Sequence, residues 1–277
     1  MMQLRMAAPI SALLVTLTIP TVAQTPDDTP RQAFMRDMQT PAQVSTAHAT
    51  PPERRLSEEE TGDLFMARKQ YREASETYKR LSQENPKNAV FMNKLGIALH
   101  QQAALGEALK CYQRAVKADP HYADAQNNIG TIWYQRKRYG KAIRAYLKAI
   151  KMRDDLPVLY SNLGYAYFSD GKNQESIAAF RTALAKDPQF FERGASRTGS
   201  VLQDRSVTDR GRFYFLLAKS FAEAGNYERC ILYLRKAKEE GYTSMKDVKK
   251  DPAFAAVLKD PAVIDLLEPK PTESAQP

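Results

Sequence analysis

The sequence predicts an all-α fold: a solenoid of helix pairs, closed at its C-terminal end by short capping helices. Two observations carry this. Glycine returns every 34 residues, at Gly62, Gly96, Gly130 and Gly164, and each copy also has a small residue (Ala74, Ala108, Ala142, Ser176) and an aromatic (Tyr78, Tyr112, Tyr146, Phe180) at fixed offsets. Each copy also reads as two amphipathic helices around a short polar break, the first ending near positions such as Arg136 and Asp170.

The elements follow in order along the chain. Residues 1–23 have Arg5, an apolar run from Met6 to Val22 broken by Pro9 and Pro20, and small Thr21 and Ala23 before Gln24. This is the pattern of a secretory signal peptide, so a mature chain starting near Gln24 in a periplasmic or secreted setting is expected. Cysteine does not follow the run, which disfavours a lipid anchor, and nothing after it approaches membrane-spanning length, so the mature chain is expected to have no membrane span. Residues 24–54, rich in Pro, Thr, Gln and Ala, have no sustained apolar period and are expected to form a disordered spacer.

Residues 55–188 hold the four in-register copies. A mid-helix glycine costs about 1 kcal/mol relative to alanine, so its recurrence implies a packing reason. Glycine and the small residue let two helix axes approach while the aromatic fills the space beside them. Pro86, Pro120 and Pro188 close three copies, with Asp154 in that place once; proline has no N–H and stops the second helix. Residues 189–210, QFFERGASRTGSVLQDRSVTDR, read as a polar surface insertion with no helical stripe. A fifth, divergent copy spans 211–242, with Ala218 in the glycine position and Cys230 in the small-residue position. Residues 243–268 are expected to form short capping helices, in which Asp251-Pro252 and Asp260-Pro261 each supply an N-cap and a first-turn proline. Residues 269–277 read as a flexible tail.

In period, glycine, small residue, aromatic and proline, residues 55–188 resemble the tetratricopeptide repeat family. The resemblance implies a right-handed superhelix of helix pairs and a noncatalytic protein whose partner is another protein or a peptide, held in the concave surface lined by first helices. A second stripe on each first helix lies one residue off the packing stripe: Asn93, Ile97 and His100; Asn127, Thr131 and Tyr134; Ser161, Tyr165 and Phe168. Spacings of four and three put each set on one face, so these residues are the expected peptide-binding groove. The family's carboxylate clamp needs basic residues and asparagine on the first unit's inner face, where this chain has Glu59 and Asp63. With Lys219 and Arg212 at the far end, the groove is expected to be acidic at one end and basic at the other.

Charge points to a second surface. The chain carries a net charge of +9, and Ala125 to Arg153 holds eight basic residues and no acidic one. Lys141, Arg144, Lys148 and Lys151 share a second-helix face, a basic ridge suited to an anionic envelope polymer. Nucleic acid is a poor fit for an exported chain without aromatic interleaving along the ridge. The alternative role is that of a structural or assembly factor of the cell envelope.

No catalytic constellation emerges. His48, His100 and His121 form no motif with a second histidine or cysteine, and no phosphate loop or dinucleotide fingerprint occurs. Neither cofactor nor metal is implied. Cys111 and Cys230 lie in different copies, too far apart along a linear stack to form a disulfide; Cys230 is expected to be an inert core thiol.

Overall fold

The computed structural model describes residues 55–191 and 209–268. The expected signal peptide, spacer and tail, and the insertion from 192 to 208, lie outside the described residues. Ten helices form five antiparallel-type pairs in chain order: α1 (Glu58–Ala67) with α2 (Tyr71–Glu84), α3 (Ala89–Gln101) with α4 (Leu105–Ala118), α5 (Ala123–Gln135) with α6 (Tyr139–Met152), α7 (Pro157–Ser169) with α8 (Asn173–Lys186), and α9 (Arg210–Glu223) with α10 (Tyr227–Glu239). Each helix packs on the one before and the one after, and no strand occurs among the described residues. This is the all-α solenoid that the period predicts.

The recurrent glycine has a steric cause. A Cβ built on Gly62, Gly96, Gly130 or Gly164 would lie 2.5–2.6 Å from the ring of Tyr78, Tyr112, Tyr146 or Phe180 respectively. Each ring is at most 1% exposed and fills the space beside the bare backbone of its partner helix. In the fifth pair both members change: Ala218 faces the register position of Leu234, and both are fully buried. A slimmer side chain at the aromatic position leaves space for the alanine methyl.

The turn inside each pair uses a left-handed residue seven positions after the glycine register: Lys69, Ala103, Lys137, Gly171 and Gly225, with φ between 56° and 79°. Glycine takes this conformation freely, whereas Lys69, Ala103 and Lys137 hold their Cβ against the following carbonyl. Ser57 starts the array with a capping box, its hydroxyl accepting from the Glu60 N–H while the Glu60 carboxylate accepts from the Ser57 N–H.

The start of the insertion departs from expectation. Phe190 is buried with Ala149, Val158 and Leu159, and Phe191 meets the rings of Phe180 and Phe221 at centroid distances of 5.7 and 6.0 Å. Two adjacent apolar residues have no periodicity to reveal them, yet they tie the end of the fourth pair to the fifth. At the C-terminus the first two expected caps are 3₁₀ turns, Met245–Lys249 and Pro252–Phe254, and the third is α11 (Pro261–Leu267). Asp251 and Asp260 accept from the N–H groups of Ala253 and Ala262, so both Asp-Pro pairs act as N-caps. Val248, Phe254, Val257 and Val263 are buried and belong to the core cluster of the fourth and fifth pairs, which they close.

Candidate functional site

The first helices are joined by a ladder of side chains. Asn128 Nδ2 donates to Asn93 Oδ1 at 3.0 Å, and Asn162 Nδ2 donates to Asn127 Oδ1 at 2.9 Å. Both bonds link the position two residues before the glycine register to the position three residues before it in the preceding repeat. At the N-terminal end the same register holds a charged rung, with Lys94 Nζ 2.8 Å from Glu59 Oε1 and 2.7 Å from Asp63 Oδ1. Burial works against the Lys94 charge, but the hydrogen bonds that it donates to Asp63 and Glu59, with the attraction of their charges, outweigh it and raise its pKa. At the C-terminal end the register pairs Ser161 with Leu216, which has no donor. Ser161 Oγ is fully buried and, among the described residues, has no hydrogen-bond partner.

A second set of rungs lies one turn further along. His100 Nε2 meets Gln135 Oε1 at 2.9 Å, and Tyr134 Oη meets Ser169 Oγ at 2.9 Å, again linking equivalent positions of successive repeats. His100 Nδ1 lies 3.5 Å from Tyr112 Oη. Nε2 therefore carries the proton donated to Gln135, and burial holds the imidazole pKa below its ordinary value. The phenols of the packing stripe are met as well: Tyr78 donates to Asp63 at 2.6 Å and Tyr146 lies 3.2 Å from Thr131 Oγ1. Burial, aided by the Asp63 carboxylate, pushes the Tyr78 pKa up, and burial does the same to Tyr146 against the opposing hydrogen bond with Thr131. Phe180 has no hydroxyl, and its register neighbour is the ring of Tyr165, edge-on at 5.4 Å.

This geometry corrects the accessibility expected of the groove stripe. Asn93, Asn127, Thr131, Tyr134, Ser161, Tyr165 and Phe168 are all buried, and only Ile97 and His100 keep partial exposure. Tyr165 stacks on Phe213 at 5.1 Å and Phe168 meets the same ring edge-on at 5.4 Å, so these two aromatics pack against the fifth pair. Spacing along one helix identifies which residues share a face, but not what the next repeat lays over it. The adjacent Asn127–Asn128 pair, with Asn93 and Asn162 one register away on either side, was the signal for the ladder. The expected charge polarity is also cancelled locally: Lys94 bridges Glu59 and Asp63, Lys219 pairs with Asp251 at 2.6 Å, and Arg212 bonds Asn173 and covers the Phe168 ring.

Lys141, Arg144, Lys148 and Lys151 are exposed on α6, and among the described residues none of them forms an ion pair. Lys141 Nζ sits 4.5 Å from the Trp133 ring centroid, with the Arg136 guanidinium 5.6 Å from the same ring. On the same side of the array, a cleft of about 440 Å³ between α2 and α4 has Leu95, Leu99 and Cys111 in its lining. Cys111 is 8% exposed and Cys230 fully buried; both thiols are free, and burial raises both pKa values, that of Cys230 to about 12. Among the described residues no helix is long and apolar enough to cross a membrane, and no three His, Cys, Asp or Glu side chains gather as metal ligands do.

Successive helix pairs, glycine–aromatic packing in the first four of them and rung-to-rung contacts between first helices define a repeat solenoid. Models of the tetratricopeptide repeat match residues 60–110, 105–157, 157–190 and 211–240, and the chain belongs to that family. No curated protein matches it. Solved structures similar to it include "Crystal structure of MamA", 21% identical with a TM-score of 0.47, covering 67% of this chain and 96% of that one. Another is "MamA 41-end from Desulfovibrio magneticus RS-1", 16% identical with a TM-score of 0.47, covering 66% of this chain and 92% of that one.

Proposed function

We propose that the chain is an exported, noncatalytic scaffold that binds a protein or peptide partner along the aligned face of its first helices. The observation that carries this reading is the ladder. Asn93–Asn128 and Asn127–Asn162 hold successive first helices in register, and a face with fixed register can match an extended partner at several points. The ladder residues support that face from within, and the half-buried Ile97 and His100, with exposed Gln135 beside them, supply contact. The test is capture from the native envelope fraction by the mature chain and by an Ile97→Ala, Gln135→Ala variant of unchanged melting temperature. A partner held by the first and lost by the second supports the groove; equal capture overturns it. Export is tested by N-terminal sequencing of the native protein: a start near Gln24 is expected, and an intact Met1 in the membrane fraction overturns it.

A second reading, binding of an anionic envelope component through the ridge, is favoured by the four exposed α6 cations that have no acidic partner among the described residues.

A further inference from the structure

The ridge does not end at α6. Lys110, Arg114 and Lys117 occupy on α4 the positions that Arg144, Lys148 and Lys151 occupy on α6, 34 residues later, and all six are exposed. Among the described residues none of the six forms an ion pair. The repeat architecture does not demand this. The same positions hold Glu76, Arg80 and Gln83 on α2, and Ala178, Thr182 and Ala185 on α8. Glu107 stands where Lys141 stands on α6, so the double row begins one turn into α4.

Leu109 and Tyr112 of α4 belong to the same core cluster as Ile129 and Ile132 of α5 and Ala145 of α6, so the two second helices border one core. Each row steps by four and three residues, about 10 Å in all, with the pitch of an α-helix. Beside the cations on α6, Leu147 is 39% exposed, one of the few large apolar side chains left uncovered among the described residues. A sugar or phosphate polymer offers charge to this surface but little to Leu147. An amphipathic helix offers both, with carboxylates at the same pitch.

We propose that the α4–α6 face is a docking surface for an acidic amphipathic helix of a partner protein, with the two cationic rows holding its acidic flank and Leu147, at the outer edge of the α6 row, as its apolar contact. The proposal rests on the ridge reading above and names its partner class.

The test uses the mature full-length chain and fluorescence anisotropy with a labelled helical peptide roughly 20 residues long. The peptide carries Glu along one flank and Leu along the other. Controls are a peptide of the same composition with the helical pattern scrambled, a sulfated polysaccharide, and vesicles of anionic phospholipid. The patterned peptide is expected to bind about tenfold more tightly than the scrambled one, to weaken with added salt, and to lose about tenfold in affinity on Arg114→Glu with Lys148→Glu. Leu147→Ser is expected to weaken the patterned peptide and leave the scrambled one unchanged. These positions are exposed, and an unchanged helical circular dichroism spectrum establishes that each variant folds. Equal binding of the two peptides, or tighter binding of polysaccharide or vesicles, overturns the helix proposal while leaving the ridge reading standing. Charge reversal without effect on any probe overturns both.

Discussion

The Tyr146 ring lies so close to the Gly130 Cα that a methyl group there would stand 2.5 Å from its Cε1 atom. Glycine and aromatic are therefore one unit of structure, repeated in four pairs and replaced together in the fifth. Gly130→Ala is expected to destabilise the protein by about 2 kcal/mol, since overpacking a filled core outweighs the gain in helix propensity. Tyr146→Leu alone is expected to cost about 2 kcal/mol through the space it empties. The double variant, which imitates Ala218 and Leu234, is expected to cost at least about 1 kcal/mol less than the two single effects added together. Denaturant unfolding of the three variants gives the coupling directly, and additive effects would contradict it.

The ladder predicts a contrast between two small changes on equivalent positions. Asn127→Ala removes the acceptor for Asn162 Nδ2 in a buried setting, with an expected cost of about 1–3 kcal/mol. Ser161→Ala removes a buried oxygen that has no partner among the described residues, and is expected to be neutral or stabilising. Melting temperatures of the two variants decide the matter. A Ser161→Ala loss as large as that of Asn127→Ala would show that the hydroxyl is satisfied.

Acid should loosen the second rung. The folded pKa of His100 is lowered by burial from its ordinary 6.5, so below that value the unfolded chain binds a proton that the folded chain resists. The contribution is complete above about pH 6.5 and declines as pH falls toward the lower folded pKa. His100→Gln, which keeps a donor for Gln135, is expected to flatten this part of the stability–pH curve. An unchanged slope would assign the acid sensitivity elsewhere.

Ala103 takes a left-handed conformation at φ 61°, where its methyl group crowds the following carbonyl. The fourth and fifth pairs have Gly171 and Gly225 at the equivalent turn. Ala103→Gly is expected to raise stability by about 0.5 kcal/mol, the relief of strain exceeding the added freedom of the unfolded chain. Lower stability by thermal melting would contradict the strain.

The two thiols should separate by exposure. Cys111, at the α2–α4 cleft, is expected to react slowly with a maleimide in the native protein, and Cys230 only after unfolding. Mass spectrometry of the labelled peptides gives the order, and faster labelling of Cys230 would reverse it.

Much of the architecture could be read from the residues. The 34-residue period located the first four helix pairs, and the two Asp-Pro pairs marked the starts of two C-terminal turns, because a glycine–ring contact and an N-cap are local demands that leave fixed marks; the fifth pair, out of that period, was found only by its looser likeness to the other four. The groove was not legible. Tyr165 and Phe168 are covered by Phe213, which comes from beyond the insertion, 48 and 45 residues away in the chain. A contact over that distance leaves no period. Asn127 was misread because an amide has the same spacing whether it awaits a ligand or already holds its neighbour.

The rungs also make the repeats directional and unequal. The third pair presents an amide on each side, Asn128 reaching back and Asn127 reaching forward, whereas the first begins with carboxylates and the fifth arrives with Leu216. A copy of residues 123–156 inserted after itself would therefore find a matching neighbour at both joins, and the array could grow there without limit of chemistry. A copy of the fifth pair could only terminate it. The number of repeats in this protein is thus written at its two ends, and the middle is the part that duplication could multiply.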